Sequence, residues 1–151
     1  MKIILAADHR GLVLKDAIKS YLTSSGFDIE DVGAHTLDKD DDYPDYAYPA
    51  AQIVATTAGA KGILFCGSGM GMDIVANKVK GVRAAIAYSK DAAVHGASLD
   101  GVNMITLAAD VLDEETARAI VEAFLSTPLV QEERYARRLE KITAIEDENF
   151  R

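Results

Sequence analysis

Apolar residues fall into short continuous runs separated by longer stretches of helical period. Lys2 to Ala7 and Ile63 to Phe65 are nearly unbroken apolar runs, the pattern of strands buried on both faces. Val82 to Tyr88, apolar after Arg83, and Asn103 to Ala108 read the same way, and Phe27 to Val32 alternates well enough for another strand. Between them, Leu14, Ile18, Tyr21 and Leu22 recur at helical spacing, and Ser24-Ser25-Gly26 ends that helix. Tyr43-Pro44 opens a second helix through Tyr46, Ala50, Ile53 and Val54 to Thr57, closed by Gly59. A third starts at Met70, with Met70, Ile74 and Val75 expected to face inward. Ser89 reads as the N-cap of a helix to about Ala97. Asp113 reads as the cap of another, with Glu114 and Glu115 in its first turn and Ala117, Ile120, Val121 and Phe124 as its buried stripe. Pro128 breaks the chain, and a last helix is expected over about 130–146.

Strands alternating with helices predict an α/β fold: one Rossmann-like three-layer sandwich spanning residues 1–151, with a five-stranded parallel sheet covered by helices on both faces. Ligands of such sheets sit beyond the carboxyl ends of the strands, near the switch in strand order. The turns at Asp8-His9, Cys66 to Gly71 and Ser89 all fall on that edge.

Composition narrows the function. A chain of 151 residues suits one domain with a proper core. The net charge of −8 argues against broad nucleic-acid binding, which needs a basic face, but leaves room for a small anion held by local charge. No apolar run approaches the ~20 residues of a membrane span. The opening Met-Lys-Ile-Ile-Leu-Ala-Ala-Asp turns polar too soon for a signal peptide. A single cysteine excludes an internal disulfide and a cysteine-based zinc site, which fits a reducing cytoplasm. The acidic run Asp38 to Asp42 reads as a solvated loop.

The chemistry gathers at Cys66-Gly67-Ser68-Gly69-Met70-Gly71, a strand end followed by a glycine-rich turn. Backbone N–H groups converge in such a turn, where they hold an anion or polarise a carbonyl, and a thiol there is expected to ionise more readily than usual. The dinucleotide fingerprint fails, because its third glycine would fall on Met72, and the P-loop lysine is absent. Cys66 reads either as a small buried hydrophobe or as a nucleophile or base. Of the three histidines, His9 lies on the ligand edge, His35 near the acidic run and His95 within a helix, so a cysteine hydrolase lacks a convincing partner for its thiol. Asp8 either caps the first helix or grips a hydroxyl. Arg134 and Arg138, at i and i+4, share a helix face that is either solvated or able to hold a phosphate.

These segments resemble the ribose-5-phosphate isomerase B and galactose-6-phosphate isomerase family nearly end to end. The likeness is carried by Ala7-Asp8-His9-Arg10-Gly11, Asp42-Tyr43-Pro44, the glycine turn with Ala76-Asn77-Lys78-Val79, Gly81-Val82-Arg83-Ala84, Arg134 to Arg138 and Ile142 to Glu146. The resemblance implies a metal-independent aldose–ketose isomerase without cofactor, acting through an enediol. It implies a homodimer with shared sites, possible pairing into tetramers, and a C-terminal helix packed on the partner. It further implies Cys66 as the base, with Ser68 and the backbone of Gly67, Gly69 and Gly71 holding the enediolate oxygen. Asp8 would hold sugar hydroxyls, Tyr43 would line the pocket, and His9, Arg134 and Arg138 would bind phosphate. Asp100 and Asn103 are carried over as further substrate contacts.

The departures are equally informative. The family's ring-opening histidine falls on Leu99, the asparagine after it on Asp100, and a phosphate arginine on Asp110. A substrate unable to form the usual ring, such as a tetrose 4-phosphate, would need no such histidine; otherwise His95 or Asp100 would have to open the ring. A sugar-phosphate-binding protein that has lost catalysis is the reading from another class.

Overall fold

The structure, a computed structural model, describes residues 1–150. The elements run β1 (Lys2–Ala7), α1 (Leu12–Ser24), β2 (Asp28–Asp31), α2 (Pro44–Thr56), β3 (Lys61–Cys66), α3 (Met70–Ala76), β4 (Ala84–Ile86), α4 (Lys90–Leu99), β5 (Met104–Ala108), α5 (Glu114–Ser126) and α6 (Glu133–Asn149). The strands form one parallel sheet of five in the order β2-β1-β3-β5-β4.

The apolar runs become the central strands because only there are both faces covered. Alternation sends Ile3, Leu5, Ile63, Phe65, Ile105 and Leu107 to one face, where α1, α4 and α5 supply Ile18, Ala93 and Phe124. Ile4, Ala6, Leu64, Cys66 and Met104 line the other, against Ala50 and Val54 of α2 and Met72 and Ala76 of α3. This is the expected three-layer arrangement. The two capping expectations also hold: Ser89 Oγ accepts from Ala92 N and Asp113 Oδ1 from Thr116 N. Among the described residues no helix is long and apolar enough to cross a membrane.

Three expectations are corrected. Met70 and Ile74 are 61% and 60% exposed; α3 turns Met72 and Ala76 to the sheet instead. The helix follows β3 after only the short turn Gly67 to Gly69, so its phase is set by that turn rather than by its most apolar residues. The run Val82 to Tyr88 contributes only Ala84–Ile86 as paired strand, because β4 is an edge strand with β5 as its one neighbour. Its outer edge is closed by Asn77, whose Oδ1 accepts from Ala84 N at 2.9 Å and whose Nδ2 donates to Ala84 O at 3.0 Å. Finally, the acidic run is not wholly solvated: the Asp41 side chain is 4% exposed.

Candidate active site

The strand order reverses between β1 and β3, and the turns after these two strands carry Asp8-His9 and the glycine-rich segment. The backbone ties them together: Asp8 N donates to Phe65 O at 3.2 Å. On the far side, Ala109 N donates to Cys66 O at 2.9 Å and Asp110 N to Gly67 O at 3.1 Å, joining the turn after β5 to the same loop.

Cys66 ends β3 with its side chain on the α2/α3 face, 4% exposed. Its Sγ accepts from Gly69 N at 3.1 Å. Gly69 holds φ +79°, a left-handed conformation that turns the chain back over the sulfur and that other residues adopt only with strain. The loop does not deliver an easily ionised thiol. Burial pushes the Cys66 thiol up; the N–H groups of Met72, Gly69 and Ser68 oppose this without overcoming it, and the Asp8 charge adds to the rise. The sequence-based expectation of a readily formed thiolate is therefore corrected: dehydration outweighs the N–H groups.

Around this sulfur, Ser68 is exposed and its Oγ accepts from Met70 N at 3.3 Å. Tyr43, the first residue of the turn into α2, lays its ring over the loop; a Cβ on Gly71 would sit 2.8–3.0 Å from three of its ring carbons. On the opposite side of the loop, the Cα of Gly67 faces Arg10 and Asp110, which form an ion pair across the two flanking turns.

Asp8 is 6% exposed. Its Oδ1 accepts from Arg10 N at 2.9 Å and Gly11 N at 3.0 Å, an Asx turn that starts α1, while Oδ2 is without a hydrogen bond among the described residues. Burial raises its carboxyl and these two N–H groups pull it back in part. One oxygen of Asp8 thus closes the turn ahead of α1, whose own N-cap, Gly11, has no side-chain bond, and the other oxygen has no partner among the described residues. His9 is fixed by Asp41, whose Oδ1 lies 2.6 Å from Nδ1 and 3.1 Å from the His9 backbone N, leaving Nε2 for another partner. Asp41 is the residue that sequence reasoning missed. It stands in a run of similar acids, and nothing in local pattern marks which of them turns inward.

The remaining predicted positions are not brought to this edge in the single chain. α4 runs back from the carboxyl edge, so Asp100, its C-terminal cap, and Asn103 lie at the opposite edge of the sheet. Asp100 stands 3.6 Å from His95 Nε2. The Asn103 amide braces the chain ahead of β4, accepting from Arg83 N and donating to Gly81 O, each at 2.8 Å. Arg134 and Arg138 lie over the ring of Tyr135, with Arg134 Nε 2.9 Å from Glu132. Tyr135 is the one buried residue of α6. Among the described residues no three His, Cys, Asp or Glu side chains gather as a metal site.

Comparison with known proteins matches residues 3–142 to the family model for ribose/galactose isomerase. The chain belongs to this family. It is 37% identical over 147 residues to the probable ribose-5-phosphate isomerase B of Mycoplasma genitalium, covering 97% of this chain and 96% of that one. With ribose-5-phosphate isomerase B of Mycobacterium tuberculosis H37Rv it shares 36% over 146 residues, 97% and 90% of the two chains. The crystal structure of the Mycoplasma genitalium enzyme with bound ribulose-5-phosphate superposes with a TM-score of 0.93 at 36% identity, over 98% of this chain and 97% of that one. That of Thermotoga maritima gives 0.90 at 38%, over 95% and 97%. This protein is a sugar-phosphate isomerase of the ribose-5-phosphate isomerase B type, an aldose–ketose isomerase.

Proposed function

We propose that Cys66 is the base that moves the proton between C1 and C2 of a phosphorylated sugar. The observation that carries this is the placement of its sulfur, 3.1 Å from Gly69 N, between Asp8 and the loop covered by Tyr43. In the aldose-to-ketose direction the thiolate takes the C2 proton. The electron pair forms the C1–C2 double bond of an enediolate, whose oxygen is held by the loop N–H groups and Ser68. The thiol then returns the proton to C1, and the oxygen protons redistribute. Asp8 Oδ2 holds a sugar hydroxyl. His9 Nε2 binds the phosphate, with Arg134 and Arg138 arriving from a partner subunit.

That assignment needs a homodimer, which the exposure of α6 supports. α6 spans 17 residues yet buries only Tyr135, leaving Ile142 and Ile145 38% and 59% exposed, a face suited to a second copy. Asp100 would reach the site by the same route. Cys66→Ala should abolish deuterium uptake from solvent into ribose 5-phosphate while ligand binding persists. Retained exchange would pass the role to Asp73, whose Oδ1 is buried without a partner and whose carboxyl is raised by burial. Sedimentation should show a dimer that Tyr135→Ala or truncation before Glu133 weakens.

Leu99 favours a second reading of the substrate. No ionisable side chain stands at that position to open a furanose, so a four-carbon sugar phosphate, which cannot close the five-membered ring, suits this chain. Turnover of erythrose 4-phosphate against ribose 5-phosphate decides between them; a large preference for ribose 5-phosphate removes the second reading.

A further inference from the structure

Among the described residues, most cations of this acidic chain are paired or exposed. Among the described residues, the lysines and arginines without an ion pair are Lys39, Lys61, Lys78, Arg83, Lys90, Arg137, Arg138 and Lys141. All are exposed except Lys61 and Arg83, which are half-buried. These two line the same cavity, of about 440 Å³, at the edge of the sheet opposite Cys66.

Their side chains converge for a topological reason. Lys61 begins β3 and Arg83 immediately precedes β4, with the start of β5 between them. Two inter-strand spacings put their backbones about 10 Å apart. Gly62 and Ala84 face the α2/α3 core, so alternation sends both cations to the other face. Each makes one hydrogen bond within the chain: Lys61 Nζ donates to Phe124 O at 2.7 Å and also lies 4.3 Å from the centre of the Phe124 ring, and Arg83 Nε donates to Gly101 O at 2.8 Å. A lysine carries three N–H donors and an arginine five, so most of their donors are left over. Burial lowers the Lys61 ammonium, the mark of a cation held away from water without a counter-charge. Capping the end of α5 explains one of its hydrogen bonds and not the shared cavity.

We propose that this cavity is a second anion site, taking a small phosphate dianion, free or as a monoester, between Lys61 and Arg83. Two cations match a dianion. A guanidinium fork and a mobile ammonium are the donors that phosphate recognition uses. The backbone beside the cavity at Gly101, Asn103 and Thr127 would sense its charge. The site lies at the sheet edge opposite this chain's Cys66, so its occupancy would tie the protein to the supply of phosphorylated compounds without competing for that thiol.

Titration of the full chain with inorganic phosphate, and separately with glycerol 3-phosphate, followed by amide NMR, tests this and separates the free ion from an ester. Saturable shifts are expected at Gly101, Asn103 and Thr127. Lys61→Gln and Arg83→Gln should each weaken them by about tenfold, the scale of one charge-assisted hydrogen bond, while the response of Gly69 stays as it was. Absence of shifts at those three amides in the native chain overturns the proposal. So do shifts that persist unchanged in either folded variant, which would place the anion elsewhere.

Discussion

His9 and Asp41 are joined twice by one carboxylate oxygen, at 2.6 Å from the ring Nδ1 and 3.1 Å from the backbone N. The contact spans 32 positions of sequence and fixes both the orientation of the imidazole and which nitrogen faces a ligand. It converts a surface acid into a positioning residue. Asp41→Ala should raise KM for a sugar phosphate by about tenfold with little change in kcat, since a hydrogen bond to a charged group is worth about 1.5–3 kcal/mol. Asp41→Asn should fall between. Steady-state kinetics check this; a loss confined to kcat would mean that His9 takes part in proton transfer rather than in binding.

The raised Cys66 thiol makes a pH prediction. A group whose acid form is favoured by burial is protonated at neutral pH, and the base is its conjugate thiolate. The ratio kcat/KM, which reports the free enzyme, should therefore climb with pH and reach half its plateau above about pH 8.5, the ordinary thiol value. A profile that is flat from pH 7 to 9 would exclude Cys66 as the base.

Gly71 and Tyr43 are coupled by space. An alanine at Gly71 brings a methyl to within 2.8–3.0 Å of Tyr43 ring carbons, so the ring must leave its place over the loop. Gly71→Ala should lower kcat/KM by at least about tenfold, and adding Tyr43→Ala should restore part of the loss, as contacting residues combine non-additively. Simple additivity in the double-mutant cycle would disprove the packing.

Lys15 is fully buried and its Nζ reaches Asp31 Oδ1 at 2.9 Å, Asp31 Oδ2 at 3.0 Å and Ala34 O at 2.5 Å. Burial alone would raise Asp31, but Lys19 and Lys15 hold its carboxyl below the ordinary value. A depressed carboxyl adds stability above its unfolded pKa of about 3.9, and that stability is lost as pH falls through the folded value. Lys15→Met should cost about 3 kcal/mol near neutral pH, at the lower end for a broken buried pair because Lys19 remains. It should also flatten the loss of stability below about pH 4. Urea unfolding at several pH values measures both.

The sequence by itself determined the architecture and the address of the site. Continuous apolar runs between helical stretches specify a parallel sheet covered on both faces. Parallel strands place every strand-to-helix turn on one edge, so Asp8, His9 and Cys66 to Gly71 had to meet there. The signals are local in period and in turn chemistry, and the chain's connectivity does the rest. Tertiary structure alone decided three other matters, each depending on what lies across a gap in sequence. Which acid of the run 38–42 is buried depends on the position of His9 against it. The protonation of Cys66 depends on the balance between dehydration and three N–H groups, and residue types near a glycine turn do not state that balance. The separation of Asp100 and Asn103 from Cys66 follows from α4 running back across the sheet, which leaves both at the opposite edge. The cysteine turn was legible from its glycines. That its thiol is harder to ionise than usual follows only from the core that closes around it.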